Sequence, residues 1–406
     1  MSRHPALYHW QRQLCCRFPG LPPVLVTLLA LWSFGMILAR RCGLDSVAGH
    51  LAPLLGQKPN TVRQRLREFY QEKAAKAGAK RGCPRTDFEV AGCFAPLLRW
   101  VLSFWSCTRL ALALDVTNLG DRFHVLCVSV LYGGIGIPVA WKVLPANQKE
   151  AWHPHWCALL RRLRPAVPPD WTVVVLSDRG LESPRLFQEV VAVGWHPLMR
   201  VKAGGKFRPA GWVGWYRFGS LAPRVGSRFA AVGLAYKTAP QPLACTLLAC
   251  WGPGHEEPWL LLTDLAVGSA SPCWYAFRAW IEQGFKVIKS GALHWQRTRM
   301  DKAERAERLW LAIAVTVLWL VVIGATVEGD PQRETLGGGR LRGPEAAGRR
   351  AEVVRRRHRL FALGLAEWLA AQLSGRPLPQ GKLAPEPWPE VWHEIPTLTE
   401  QEFSSS

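Results

Sequence analysis

One short stretch limits the fold more than any other: Trp171 to Ser177 (WTVVVLS), an apolar, β-branched run with no polar alternation. Such a run is a strand in a sheet covered on both faces. It delivers Asp178 at its C-terminal end. Upstream, Arg109 to Asp115 (RLALALD), Arg122 to Leu131 (RFHVLCVSVL) and Ile137 to Leu144 (IPVAWKVL) read as three more strands, the last two joined by the turn Tyr132-Gly133-Gly134. Successive strands with short turns form an antiparallel meander. Glu150 to Arg164 and Pro184 to Val193 read as helices, and His196 to Val201 as a further strand.

The order is thus three antiparallel strands, helix, strand, helix, strand, and it resembles that of an RNase H-like domain, in which the first and fourth strands lie side by side. The expected fold class is α/β, a mixed sheet of that kind flanked by helices. Asp115 and Asp178 would then close two neighbouring strands. Paired carboxylates without a cation suffer repulsion and desolvation, so the arrangement makes sense as a metal site. A single such Asp could simply open a loop, and Asp121 is the one substitute for Asp115.

Farther along, Tyr275 to Lys289 reads YAFRAWIEQGFKVIK. Tyr275, Arg278, Glu282 and Lys289 recur at helical spacing, which places them on one helix face. A carboxylate flanked by two cations can complete a metal site while the cations hold phosphates. The plainer account is a solvated face with Arg278 and Glu282 paired at i,i+4.

Charge favours a polyanionic partner. Lys and Arg number 51 against 30 Asp and Glu, a net charge of +21, and such an excess points to nucleic acid. The 11 cysteines are scattered, form no CxxC pair and read as reduced thiols. Val24 to Ala39 and Leu309 to Ala325 are apolar and close to bilayer-spanning length, roughly 17–25 residues. Both read better as buried core helices, apolar on all faces, than as membrane spans. The charged segment Arg297 to Arg308 reads as the start of the second helix.

The chain divides into a helical region 1–86, a catalytic core in two parts (87–201 and 264–328) around an all-β insertion at 202–263, a basic loop and helix at 329–374, and a Pro-rich tail at 375–406 without periodicity, expected to be disordered. Within the first region, Leu44 to Tyr70 reads as two helices about the turn Gly56-Gln57-Lys58-Pro59-Asn60, with Asn60 as cap. The second carries Arg63, Arg65 and Arg67, either a helix-turn-helix DNA contact or the solvated face of an ordinary hairpin. Residues 71–86 read as a linker. Arg355-Arg356-Arg357 offers non-specific DNA contact.

The spacing Tyr-x2-Arg-x3-Glu-x6-Lys at Tyr275, Arg278, Glu282 and Lys289 resembles the signature of IS4-type insertion-sequence transposases, members of the DDE (RNase H-like) superfamily. Asp115-Val116-Thr117 and Asp178-Arg179 resemble its two earlier motifs, over about residues 108–325. The second motif lacks a longer acidic continuation, which leaves Arg179 without a role. The resemblance implies Asp115, Asp178 and Glu282 as catalytic ligands of two Mg²⁺ ions, with Mn²⁺ able to substitute. It implies DNA contacts by Tyr275, Arg278 and Lys289, strand nicking at terminal inverted repeats, and transfer of the 3′-OH into target DNA. It also implies a homodimer on paired ends, acting in a prokaryotic cytoplasm on the nucleoid, and a helix Leu309 to Ala325 packed on the catalytic sheet. Trp295 is either a base-stacking residue or core. A catalytically inactive or domesticated DNA-binding relative is the alternative, and a nuclease that cuts without rejoining is another.

Overall fold

In the computed structural model, which describes residues 4–73, 88–148, 151–329, 359–379, 381–391 and 400–404, strand β1 (Arg109–Leu119) has an antiparallel neighbour on one side and a parallel one on the other. The antiparallel neighbour is β2 (Phe123–Tyr132), which in turn pairs with β3 (Ile135–Pro145). The parallel one is β4 (Thr172–Ser177), and β5 (His196–Arg200) lies parallel beyond it. The spatial order 3-2-1-4-5 is the mixed sheet expected from the order of elements. All of β4 but its first residue is buried, so its β-branched side chains are covered on both faces, as their lack of alternation requires.

Residues 202–263 extend the same sheet. Strands β6 (Lys206–Pro209), β7 (Tyr216–Arg217), β8 (Arg228–Ala235), β9 (Leu243–Cys250) and β10 (Trp259–Thr263) add to it in the order 10-9-8-6-7, and β10 runs antiparallel to β5. The result is one ten-stranded mixed sheet with helices packed against it.

The N-terminal helices are α1 (Pro5–Arg17), α2 (Pro23–Ala39), α3 (Leu44–Leu55) and α4 (Pro59–Tyr70), followed by α5 (Phe94–Leu102). After β3 come α6 (His153–Leu163), α7 (Pro184–Ala192), α8 (Ala279–Lys286) and α9 (Ala303–Glu328). Helices α8 and α9 pack on β3, and α2 and α4 pack on α9. The two long apolar stretches therefore meet: Trp10 of α1 stacks on Trp319 of α9 at 3.4 Å and donates from Nε1 to Ser33 Oγ of α2 at 2.8 Å. Helix α9 is long and apolar enough to cross a membrane, and here it is almost wholly enclosed by protein. Its amphipathic signal is absent because neighbours surround it on all sides.

The charged segment before it differs from expectation. The helix begins only at Ala303, and Trp295–Arg297 form a separate 3-10 turn. Arg305 donates to both oxygens of Glu72 at 2.8–3.2 Å, and Lys302 joins them. Those cations, hydrogen-bonded Arg305 foremost, hold the Glu72 carboxyl down at about 2. Asn60 lies inside α4, which starts at Pro59 after Lys58, so it is not the cap.

Helix α10 (Arg359–Ser374) crosses α9 at two glycines. A Cβ on Gly324 would lie 1.9 Å from Leu360 O, and one on Gly364 would lie 1.8 Å from Leu320 O. The tail expected to be disordered is, where described, attached to the body. Leu383 is fully buried and bridges to Trp105, Trp388 sits edge-on to Trp274, and Trp274 Nε1 donates to Pro389 O at 2.7 Å. In α11 (Glu400–Ser404), Glu400 accepts hydrogen bonds from the Val213 and Gly214 amides and the Tyr216 hydroxyl. Lack of periodicity excludes a regular helix or strand but not an extended chain pinned by tryptophans and one carboxylate. Most of the expected 71–86 linker, and Arg355, Arg356 and Arg357, fall outside the described residues.

Gly324→Ala is expected to lower the unfolding free energy by about 1–3 kcal/mol through overpacking, read as an earlier denaturant midpoint. An unchanged midpoint would contradict the close α9–α10 crossing.

Candidate active site

The pairing register sets the first two carboxylates side by side. Leu114 of β1 pairs with Ser177 of β4 in the last step of their parallel ladder. Asp115 and Asp178 follow directly. Asp115 does not end its strand, as expected from sequence, because β1 continues to Leu119 along β2, with Asp115 opposite Cys127. It is β4 that stops, and Asp178 caps the 3-10 turn Arg179–Leu181.

One oxygen of each aspartate is held by backbone. Asp115 Oδ1 accepts from the Val116 amide at 2.8 Å, and Asp178 Oδ1 accepts from the Gly180 and Leu181 amides at 3.0 and 3.2 Å. The other oxygen of each faces one cation. Arg278 Nη2 lies 3.0 Å from Asp115 Oδ2 and 3.4 Å from Asp178 Oδ2, while Nη1 lies 2.7 Å from Glu282 Oε1. A single guanidinium thus joins all three carboxylates. The group grades from interior to solvent: the Asp115 side chain is 15% exposed, Asp178 36% and Glu282 50%. Burial pushes the Asp115 carboxyl up to about 6, against the pull of Arg278; the charges of Asp178 and Glu282 push the same way as burial.

Glu282 is brought over the sheet by a close helix–strand approach. A Cβ on Gly284 would lie 2.4 Å from Gly136 O of β3, and a Cβ on Gly136 would lie 2.8 Å from the Ile281 Cα. Only two glycines allow α8 and β3 to meet at that distance.

The expected single helix face is in fact three kinds of helix in series. Tyr275 and Arg278 lie on a 3-10 segment (Pro272–Arg278), Glu282 on α8, and Lys289 on a π turn (Val287–Gly291). Single π turns are frequent at functional sites. Tyr275 is buried edge-on to Trp259 at 5.6 Å, and burial pushes its hydroxyl up to about 12. Lys289 is half-buried and has no ion-pair partner among the described residues. Trp295 is fully buried against Trp310, a core position, so base stacking by it is not supported. Asp121 sits exposed in the β1–β2 turn. On α4, Arg63 is tied to Asp45 at 2.6 Å, and Arg65 and Arg67 are half-buried.

Three carboxylates converging on one positive group are an all-oxygen donor set, which suits Mg²⁺ or Mn²⁺. With Arg278 among them, no three acidic, His or Cys side chains of the described residues stand at metal-binding distances. The donor chemistry fits a divalent ion, and Asp115, Asp178 and Glu282 are the residues that would hold one if Arg278 withdrew from among them. Its own fit is incomplete: the buried Arg278 Nε has no hydrogen-bond partner among the described residues. Sequence reasoning missed three charged neighbours, Arg179 as a partner, Arg200 and Glu257, which form their own ion network at 2.5–3.2 Å. It also missed Gly136 and Gly284, whose only signal was two isolated glycines in otherwise regular elements.

Residues 120–319 match the family model described as the transposase DDE domain. The match contains Asp178, Arg278 and Glu282 and begins after Asp115. Over those residues the chain is similar to DDE transposases, and the mixed sheet with flanking helices is consistent with that fold. No curated protein matches the chain.

Removing one member of a buried ion cluster costs about 3–5 kcal/mol, and less where partners reach water, as here. Arg278→Gln is therefore expected to lower the Tm of the metal-free protein, and MgCl₂ should raise that Tm more than it raises the wild-type value. Equal Mg²⁺ responses would contradict the placement. Because the folded Asp115 carboxyl titrates at about 6, above its ordinary 3.8, its contribution to stability is full below 3.8 and is lost as pH rises through 6. Asp115→Asn should flatten the stability profile across that window in urea titrations at stepped pH.

Proposed function

We propose, on the premise of the transposase DDE domain match, that this chain is an IS4-type DNA transposase that cleaves transposon ends and transfers them into target DNA. Its catalytic carboxylates are Asp115, Asp178 and Glu282. The observation that carries the reading is their convergence on the Arg278 guanidinium. Three acids from separate elements gathered around one positive charge serve no evident structural purpose, because hydrophobic replacements stabilise a core at least as well.

In this reading Asp115, Asp178 and Glu282 hold two Mg²⁺ ions, replaceable by Mn²⁺. When bound, these supply the Lewis acidity that activates a water or 3′-hydroxyl and stabilises the leaving oxygen. The chain's own residues do the positioning. Backbone amides fix one oxygen of Asp115 and of Asp178, leaving the other in each aimed at the shared centre. Arg278, released from the acids, is placed to hold a phosphate oxygen of the cleaved strand by paired N–H bonds. Lys289, after α8, supplies a second, point-like cation, and Tyr275, before it, a hydroxyl. The protein forms no covalent intermediate.

Beyond the centre, residues 202–263 are an insertion into the catalytic core of 87–201 and 264–328. Helix α4 contacts DNA through Arg63, Arg65 and Arg67, and the charge of +21 carries non-specific affinity. The protein acts as a homodimer on paired terminal repeats in a prokaryotic cytoplasm, apart from any membrane.

Glu282→Gln should reduce Mg²⁺-dependent nicking of end-bearing DNA by at least about a thousandfold, by analogy with the loss of an essential charge-stabilising group, while end binding persists in gel-shift titrations. Lys289→Ala should weaken binding or cleavage with the Tm unchanged. Nicking retained by Glu282→Gln would sink the assignment. Binding without cleavage by the wild type, in Mg²⁺ and Mn²⁺ alike, would point instead to an inactive DNA-binding relative.

A further inference from the structure

The row of paired residues that aligns Asp115 and Asp178 continues one strand farther. Ser177 of β4 pairs with Met199 of β5. The next residues across β1, β4 and β5 are therefore Asp115, Asp178 and Arg200. Arg179 follows Asp178 directly. Both arginines turn to one acceptor outside this row: Arg179 Nη1 lies 2.5 Å and Arg200 Nη2 3.2 Å from the same oxygen, Glu257 Oε2. Glu257 comes from the loop between β9 and β10 (Gly252-Pro253-Gly254-His255-Glu256-Glu257-Pro258), where Gly254 is left-handed at φ 77°. The loop is anchored at its far end by His255, its ring tilted against Trp259, which contacts Tyr275.

We infer that Arg179 and Arg200 form a phosphodiester-binding site beside the three carboxylates, and that Glu257 occupies it as a carboxylate stand-in until DNA displaces it. The inference rests on the reading of this chain as a DNA-cleaving protein. Two guanidinium groups offer several N–H donors each, yet here they converge on a single carboxylate oxygen. A phosphate, with more oxygens, can engage both in paired bonds. The present occupant is cheap to remove: Glu257 and Arg179 are both about half exposed, at 51% and 52%, and exposed ion pairs hold weakly. Arg200 is less exposed, at 22%, and its place at the end of β5 fixes the inner wall of the site. Contacts of this kind set the register of a strand on the protein without reading its sequence. The site would thus seat a phosphate next to the one being cleaved, and it gives Arg179 the role its motif left open.

The test is binding of a short fluorescein-labelled duplex of arbitrary sequence, in EDTA so that no cleavage intervenes, followed by anisotropy at several salt concentrations. Glu257→Gln should tighten binding about twofold to fivefold, the factor that matches release of an exposed ion pair. Arg179→Gln should weaken binding and reduce the slope of log affinity against log salt by about one. In the double variant the gain from Glu257→Gln should disappear. Glu256→Gln, an exposed neighbour carrying the same charge change, should give a smaller gain, and Tm values should confirm that all variants fold. An equal gain from Glu256→Gln, or a gain that survives loss of Arg179, would overturn the inference in favour of simple net charge. Normal wild-type binding unaffected by Glu257→Gln would overturn the inference and leave the DNA reading intact. Absence of salt-dependent binding in every variant would overturn both.

Discussion

Asp115, Asp178 and Glu282 come from a strand, the end of a second strand and a helix, and no two of them can share a partly buried space as anions without a cation between them. Arg278 supplies that cation. Its guanidinium reaches all three within 3.4 Å, and the arrangement depends on it twice. It offsets repulsion that would otherwise splay β4 from α8, and it keeps Asp115 ionisable despite a burial that pushes its carboxyl up to about 6. Its Nε has no hydrogen-bond partner among the described residues. In the proposed function divalent ions would meet the same electrostatic demand and leave the arginine to face a phosphate.

The scaffold beneath this site is stiff for reasons of packing. Helix α9 is buried along almost its whole length, with the N-terminal helix α2 on one side and α10 crossing it at Gly324 and Gly364. The N-terminal helices therefore share a core with the sheet through α9, where the Trp319 ring meets those of Trp10, Phe34 and Trp368. Glu72 and Arg305 add a charged tie at the start of that helix.

Much of this was legible in the residues. The run TVVVLS admitted only a doubly covered strand, and the order of strands around it followed from short turns and lengths. Asp178 was readable because β4 stops there. Asp115 was expected to end its strand, but β1 continues past it, and what sets it beside Asp178 is the end of the neighbouring strand, a property of pairing that one strand's sequence does not contain. The role of Arg278 was only half visible. Spacing along a helix shows the partner at i+4, Glu282, but the contacts to Asp115 and Asp178 depend on the tertiary fold. Gly136 and Gly284 looked like ordinary glycines because their meaning lies in the backbone opposite. The Pro-rich tail carried no periodicity, yet Leu383, Trp388 and Glu400 hold its described parts by contacts that need none.

If Asp115, Asp178 and Glu282 form one metal site, as proposed, iron bound there will cut the backbone beside it. Fe²⁺ loaded into the full chain and treated with ascorbate and peroxide generates short-lived radicals that cut the polypeptide beside the bound ion. Cuts should cluster at residues 115, 178 and 282, be suppressed by excess Mg²⁺ and be absent in Asp178→Asn. Cuts that avoid those positions, or a pattern indifferent to Mg²⁺ and to Asp178→Asn, would contradict that site.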